Sequence, residues 1–512
     1  MPNSKTANEY NTQLSSITKN AAYAAFGILF MNIMAFLNNV IITRTLGADS
    51  YGLFVLVTNV FGFIALFPQL GFGPAIIRYV SNYIGKGENE KAKGTILFSS
   101  KLLLITSIVF LAISLLLSNW ISEYLFDRPE LTPLLNILLL SLPFSVIATV
   151  FFSALNGLKL IKYQIAASNI INPLVFFFLI NIIFFMGYGL TGLVWVMVFM
   201  GVAMAGLSYY FLNIGYFKLN RKLDSIVEKQ ELLRFATPIY LNQFLNTAIR
   251  FAPIFIMGYF LSNTDIGIFN VGFRIAMLVS VSLGAFRLIF SPTISSLYAN
   301  NKKPLISQLY KTVTKWIFTI ALLTFCIIIL FTEPILNIFG KEFTSGISVL
   351  LLLVFGELIN AGVGLVGSII LMSGRSKVVL FNASINFITI VSLSYFLIPD
   401  YGIIGAALSY SITVVLLSII RLIELYYFEK MHPFKFSYIK PLVAGIVAFV
   451  LTYFVVNGID INQYIEMISG MLIFLLLFVF ILWALKFDDD DKYIFSLISN
   501  KFMRHENDNK PH

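Results

Sequence analysis

Charge is what this chain has least of. Only 12% of its 512 residues are charged and 58% are hydrophobic, against about 25% and 45–50% in a typical soluble domain. Cysteine is nearly absent too: Cys326 stands alone, which excludes an intramolecular disulfide and a cysteine metal cluster. It lies in an apolar run and reads as a small buried hydrophobe. The three histidines, His432, His505 and His512, are scattered over loop and tail, so no metal site is expected. Paired carboxylates, a nucleophile–base set and a phosphate-cradling glycine loop are also missing. With short outer loops, that argues against a membrane glycan polymerase or glycosyltransferase. No cleavable signal peptide is expected, because the first 20 residues are polar and the first apolar run is long enough to span and stay.

What is present is one apolar run after another, each about 20 residues long, the length of a helix crossing roughly 30 Å of hydrocarbon. In lipid every backbone N–H and C=O must be satisfied internally. Barrel strands would alternate in polarity over about 10 residues, and these runs do not. The expected fold is an all-α integral membrane protein of about 14 transmembrane spans. The first six fall near 21–42, 53–71, 97–118, 134–155, 165–186 and 190–212. The next six fall near 238–261, 268–290, 315–332, 347–371, 378–398 and 403–425, and the last two near 441–458 and 466–485. Around them the organisation reads as an N-terminal segment 1–20, a first lobe 21–212, a polar linker 213–235, a second lobe 236–428, two further spans within 429–486, and a tail 487–512. The linker carries Arg221, Lys222, Lys229 and Arg234, and the acidic run Asp488–Asp491 opens the tail as a solvated cluster.

Lys and Arg mark the cytoplasmic side of a membrane protein. The even-numbered gaps hold Arg78, Lys86, Lys91 and Lys93, then Lys159 and Lys162, then the linker, Lys302, Lys303 and Lys311, Arg375 and Lys377, and Lys430, Lys435 and Lys440. The odd-numbered gaps hold little more than Arg44, Arg128 and Lys341. About 30 of the 35 basic residues thus fall on one side. Both termini are then cytoplasmic in a protein of the cytoplasmic membrane. The formal charge of +10 is a topogenic excess that also suits anionic headgroups. No loop offers a basic surface interleaved with aromatics, so nucleic acid is not an expected partner.

The two six-span halves repeat. Leu46-Gly47-Ala48-Asp49-Ser50-Tyr51-Gly52-Leu53-Phe54 between spans 1 and 2 matches Leu261-Ser262-Asn263-Thr264-Asp265-Ile266-Gly267-Ile268-Phe269 between spans 7 and 8. Tyr188-Gly189-Leu190-Thr191-Gly192 matches Tyr401-Gly402-Ile403-Ile404-Gly405. Gly73-Pro74-Ala75-Ile76 matches Ser291-Pro292-Thr293-Ile294, and Asn156-Gly157-Leu158-Lys159 matches Ser373-Gly374-Arg375-Ser376. Short hairpins favour glycine on their own account, but four matches in one order are not explained by that. Six spans per repeat is an even number, so the halves share one orientation, an arrangement that recurs in secondary transporters with the substrate path at the repeat interface.

A charge at the centre of a membrane helix costs about 2.5–3.5 kcal/mol on insertion scales and faces a bundle interior or a wet cavity. Arg250 sits midway through span 7, and Asn242 and Asn246 share its face at i−8 and i−4. Asn270 and Arg274 repeat the four-residue spacing in span 8. In span 1, Asn32, Asn39 and Thr43 lie near one face with Arg44 just beyond. Arg44 and Arg274 are close enough to span ends to snorkel instead. Glu357 in span 10, followed by Asn360, is the only acidic residue deep in the membrane. It either pairs structurally, with Arg250 as one partner considered, or binds a coupling cation (Na+ or H+). Lys101, Arg287 and Arg421 read as topogenic.

A six-plus-six repeat with two extra spans, and the segments Thr43–Phe54, Gly71–Arg78, Asp265–Asn270 and Gly402–Ala407, resemble the polysaccharide-transporter branch of the multidrug/oligosaccharidyl-lipid/polysaccharide exporter superfamily, which includes the O-antigen flippases. The resemblance covers about residues 15 to 485. It implies a transporter, not an enzyme: a flippase for a polyprenyl-pyrophosphate-linked oligosaccharide, working by alternating access through a cationic central cavity. No cofactor beyond a coupling cation is implied. Expected partners are the lipid-linked glycan, membrane lipids, and a glycan polymerase or glycosyltransferases. Arginine suits the pyrophosphate because its planar fork donates two parallel hydrogen bonds. A peptidoglycan-precursor flippase and a cation-coupled multidrug antiporter of the same superfamily are the alternatives. The antiporter reading is weakened by the lack of Asp or Glu deep in spans 1 to 6.

Overall fold

A computed structural model of the chain describes residues 4–218, 223–456 and 462–485, with side chains from Phe26 onward except at 288 and 289. Arg221, Lys222, the Asp488–Asp491 run, His505 and His512 lie outside the described residues. The described residues form helices and no strand, and they divide into two compact units, Met1–Gly267 and Ile268–His512.

The first unit holds α1 (Ser4–Ile64), α2 (Phe72–Lys86), α3 (Asn89–Asn119), α4 (Leu131–Leu139), α5 (Leu142–Gly157), α6 (Ile161–Gln164), α7 (Asn172–Phe185), α8 (Gly189–Leu212) and α9 (Lys229–Phe260). At its end begins α10 (Asn263–Ala276). The second unit continues with α11 (Val281–Ala299), α12 (Lys303–Leu330), α13 (Thr332–Phe339), α14 (Ile347–Val363), α15 (Val366–Met372), α16 (Ser376–Glu429), α17 (Ile439–Val456) and α18 (Gln463–Ala484). Among the described residues nine helical stretches are long and apolar enough to cross a membrane, and eleven when each of two bent pairs counts as one span. Two of the nine kink at a glycine of non-helical conformation, α1 at Gly47 and α16 at Gly402, so each holds two crossings. The 32-residue α9 is long enough but carries polar residues along its length. This tally is consistent with the expected fourteen.

Apolar side chains cover the outside because the solvent there is lipid. Along α18, Ile465, Leu472, Leu476, Phe480 and Trp483 are all exposed, while Phe474 and Phe478 turn inward. Those two rings pack with Ala444 and Ala448 of α17 against Phe318, Leu322 and Cys326 of α12. Small residues on α17 let the helices approach closely, as membrane helices without a hydrophobic driving force require. Cys326 is buried and unpaired in that layer.

The internal repeat has a steric cause. A Cβ on Gly52 would stand 1.6 Å from the Asn263 carbonyl oxygen, and one on Gly267 would stand 2.3 Å from that of Ala48. The two glycines and the two carbonyls occupy equivalent positions in the repeated segments. Each hairpin therefore needs a residue without a side chain where the other crosses it. Gly189 and Gly402 likewise share a positive φ, 54° and 57°.

The site depends on α9, which is fastened at both ends to the rest of the first unit. Ahead of its first turn, Glu228 accepts from Lys91 Nζ at 2.8 Å and from the Tyr83 hydroxyl at 2.9 Å. Lys91 and then Tyr83 hold the Glu228 carboxyl below the usual carboxylate range, and Glu228 in turn raises Lys91. The preceding strand of linker is pinned by Lys93 Nζ donating to Leu223 O at 2.6 Å and by Ile226 N–H donating to Glu90 O at 3.2 Å. At the far end Arg128, 8% exposed, donates Nη1 to Gly258 O at 2.7 Å and Nη2 to Leu261 O. These carbonyls belong to the last turn of α9, where a cation is favoured by the helix dipole and satisfies orphan acceptors.

Candidate polar site on the seventh span

The polar residues of α9 recur at the spacing of one helix face. Asn242, Gln243, Asn246, Thr247 and Arg250 line a cavity of about 320 Å³ together with Gly62, Leu66 and Gln69. Asn246 Nδ2 donates to both Asn242 O and Asn242 Oδ1 at 2.8 Å, which ties the upper two amides into one unit. Arg250 stands 5.0 Å over the ring of Phe251, a cation–π contact that orients the guanidinium without neutralising it.

The opposite wall is a break in the second span. α1 ends at Ile64, the chain makes a short turn over Phe67–Gln69, and α2 starts at Phe72. Pro68 withholds a backbone donor, and Leu70 and Gly71 take φ of 47° and 73°. The freed carbonyls are satisfied by side chains: Gln69 Nε2 donates to Ala65 O at 2.9 Å and Thr106 Oγ1 to Pro68 O at 3.0 Å. A Cβ on Gly71 would meet Ala236 O at 2.5 Å, so α9 lies directly on the break. Irregular backbone at membrane depth is tolerated where protein covers it or a cavity admits water, and interrupted helices in transporters mark binding sites. The second unit has an interruption at the corresponding place, a 52° bend between α10 and α11. Behind the polar strip sits an aromatic cluster, with Phe63 within 5.4 Å of Phe67 and Phe255 and 6.3 Å of Phe251.

The other residues singled out from the sequence take different places. Asn39 donates to Ala35 O at 2.6 Å and accepts from the Tyr51 hydroxyl at 3.2 Å. It braces the bend of α1 and is not among the cavity residues. Arg44 is exposed one turn before the Gly47 kink. In the second unit Arg274 Nε donates to Oδ1 of the buried Asn270 at 2.9 Å. Glu357, 1% exposed, accepts from the Tyr410 hydroxyl and from Asn360 Nδ2, the latter at 3.3 Å. Gln69 and Thr247 belong to the cavity and were not distinguished in the sequence. Gln69, within Pro68-Gln69-Leu70-Gly71 at the end of the expected span 53–71, carries no local signal that α9 lies beside it.

Residues 17–298, more than half of the chain, match the family described as polysaccharide biosynthesis protein. The capsular polysaccharide biosynthesis protein CapF of Staphylococcus aureus is 25% identical over 336 residues, covering 64% of this chain and 81% of that one. Among solved structures, the lipid II flippase MurJ in an inward closed conformation is similar with a TM-score of 0.70 at 15% identity, over 90% of this chain and 97% of that one. An inward-facing multidrug resistance MATE family transporter is similar with a TM-score of 0.68 at 17% identity, over 78% of this chain and 94% of that one. With the repeated hairpins and broken helices described above, the match places the chain: it shares the fold of those two transporters and belongs to the polysaccharide biosynthesis protein family.

Proposed function

We propose that this protein flips a polyprenyl-pyrophosphate-linked oligosaccharide from the inner to the outer face of the cytoplasmic membrane by alternating access. The observation that carries the reading is the cavity on α9, where Arg250 ends a stripe of carboxamides beside a broken helix. A guanidinium offers bidentate donation to a phosphate, and the carboxamides of Asn242, Gln243 and Gln69 can both donate to and accept from sugar hydroxyls, while Asn246, whose Nδ2 is taken up by Asn242, can accept through Oδ1. Arg44, Arg274 and Asn270 are the further residues assigned to the transport path, while Asn39 serves the bend of α1. The family and the CapF relative support a glycan destined for the cell surface. The basic loops lie on the cytoplasmic side in this reading. Glycosyltransferases that build the glycan and a polymerase that extends it are the natural partners.

Membrane potential, negative inside, favours outward movement of an anion by about 2.3 kcal/mol per charge per 100 mV. A doubly charged pyrophosphate head gains about twice that. Glu357 supplies the second candidate for driving force. Its buried carboxylate, held by Tyr410 and Asn360, is a place for a coupling proton or Na+. Dissipating the potential with ion gradients intact should slow transport, and unchanged rates overturn the potential-driven reading.

The test is transbilayer movement of a polyprenyl-pyrophosphate oligosaccharide in proteoliposomes, wild type against Arg250→Ala. Movement in wild type that collapses in the variant supports the assignment. Equal movement in both keeps the flippase and removes Arg250 from its mechanism. No movement with several glycans overturns the flippase reading and leaves the antiporter, with Glu357→Gln as the variant to examine.

A further inference from the structure

The first unit carries an apolar groove of about 860 Å³ between its third and fourth spans. One wall is a stripe of α3, where Leu97, Lys101, Leu104, Ile108 and Leu111 recur every three or four residues and so share one helix face. The other wall is α5, with Phe144, Ile147 and Phe151. The fourth span bends by 42° where α4 gives way to α5, and Leu140 at that break lines the groove as well. Leu97, Leu104, Ile108, Leu140 and Phe144 are all exposed, so nothing among the described residues covers the groove. Exposed apolar surface on a membrane bundle faces lipid. Lipid tails are as apolar as leucine, so apolar walls alone hold no lipid in preference to another.

The exception in the lining is Lys101. It stands one turn inside the apolar run 97–118, is exposed, and forms no ion pair among the described residues. A charge at that depth is costly unless it reaches the interface or meets an anion. One helical turn is about 5.4 Å, a distance that a lysine stem covers by snorkelling. The ammonium therefore comes to the level of the phosphate headgroups directly over the groove. Ser100 lines the groove beside it and spends its own proton on Ile96 O at 2.8 Å. Its oxygen is left to accept from a headgroup hydroxyl.

The length of the groove points to one occupant. Lys101 and Leu111 lie about 15 Å apart along α3, which is half of a hydrocarbon core of roughly 30 Å. That is the depth of a single leaflet, the reach of one phospholipid acyl chain. A long polyprenyl tail would overrun it. The leaflet is the one beside the basic loops, the cytoplasmic one in the orientation proposed above.

We infer that the α3–α5 groove is a binding site for an anionic phospholipid, with its phosphate on Lys101, a headgroup hydroxyl on Ser100 and one acyl chain laid along Leu104, Ile108 and Ile147. The site goes beyond the flippase reading and does not depend on what the protein carries. It also gives Lys101 a partner beyond its part in setting topology.

The test is native mass spectrometry of the full-length protein in detergent, titrated with phosphatidylglycerol or with phosphatidylcholine of the same chains. Wild type should bind the first phosphatidylglycerol about fivefold more tightly, the effect of one lysine near an anionic surface. That preference should vanish in Lys101→Gln and persist in Lys101→Arg, with neither variant changed in melting point. Leu104→Trp fills the groove from a side chain that is already 40% exposed and should weaken the first molecule of both lipids about tenfold. Ile105→Trp, on a neighbour that is 51% exposed and outside the lining, should change neither. Should Leu104→Trp fail to fold, Ile108→Trp at a side chain 52% exposed takes its place. Equal affinity for the two lipids in wild type, or a preference that survives Lys101→Gln, overturns the inference: the groove then holds annular lipid only. Equal weakening by Ile105→Trp overturns it too. So does polyprenyl phosphate that displaces phosphatidylglycerol from wild type and is itself lost in Leu104→Trp, since the occupant is then a polyprenyl tail.

Discussion

Replacing Arg128 tests whether α9 is held where the site needs it. The side chain is 8% exposed and gives two bonds to the carbonyls that end α9. Burial pulls the guanidinium down from its usual value, with Glu130 and then Asp49 opposing the shift; it stays charged because arginine starts so high. Hydrogen bonds involving a charged group contribute about 1.5–3 kcal/mol each, so the pair contributes about 3–6 kcal/mol before correction. Truncation also admits water to the freed carbonyls, which recovers part of that. The lower end, about 3 kcal/mol, is therefore expected for Arg128→Ala. For a unit of this size 1 kcal/mol shifts Tm by about 2 °C, so the full-length protein in detergent should melt about 6 °C lower. Arg128→Lys keeps the charge but loses the fork that spans two carbonyls, and should fall about halfway. A Tm for Arg128→Ala within about 1 °C of wild type would falsify the reading of Arg128 as the tie that secures α9.

Two further outcomes follow from the same unit. Gly52→Ala forces a Cβ to 1.6 Å from the Asn263 carbonyl oxygen and should destabilise by at least the ~1–3 kcal/mol of ordinary overpacking, whereas Gly85→Ala, with nothing within 4 Å of its Cβ, should leave the melting point unchanged or raised. Glu228 gives a pH signature. Its folded-state pKa is depressed by Lys91 and Tyr83, so its contribution is complete above the unfolded value of about 4.3 and is lost as pH falls through the lower folded value. The Tm difference between wild type and Glu228→Gln should be flat from about pH 5.5 to 7.5 and shrink in acid. A difference that grows in acid contradicts the assignment. The raised Lys91 works at the other end: its contribution is complete below its usual value of about 10.4 and is lost as pH rises through the folded one.

Much of this architecture is legible in the chain itself, and the reason is the solvent. Lipid leaves the backbone one economical way to cross, so runs of about 20 apolar residues mark the crossings without reference to partners. The same severity makes Arg250 and Glu357 conspicuous, since a charge within such a run needs a compensating surround. Arg128, Gln69, Arg287 and Arg421 escape notice because each lies near a span end or a turn, where polarity is expected and carries little information. Arg128 reads as a loop cation, yet it is buried against the end of α9. Arg287 and Arg421 read as topogenic, yet they line one cavity.

By itself the sequence determined the all-helical membrane class, the duplicated hairpin segments and the polar face of α9, because helix periodicity and the cost of charge in hydrocarbon are local. Only the tertiary structure decided what those features meet. It showed that the repeated glycines make room for each other's hairpin carbonyls, that the amide stripe faces a break in the second span, and that two arginines 134 positions apart line one cavity. Contacts of that kind depend on where distant segments cross, and single residues carry no local signature of a crossing partner.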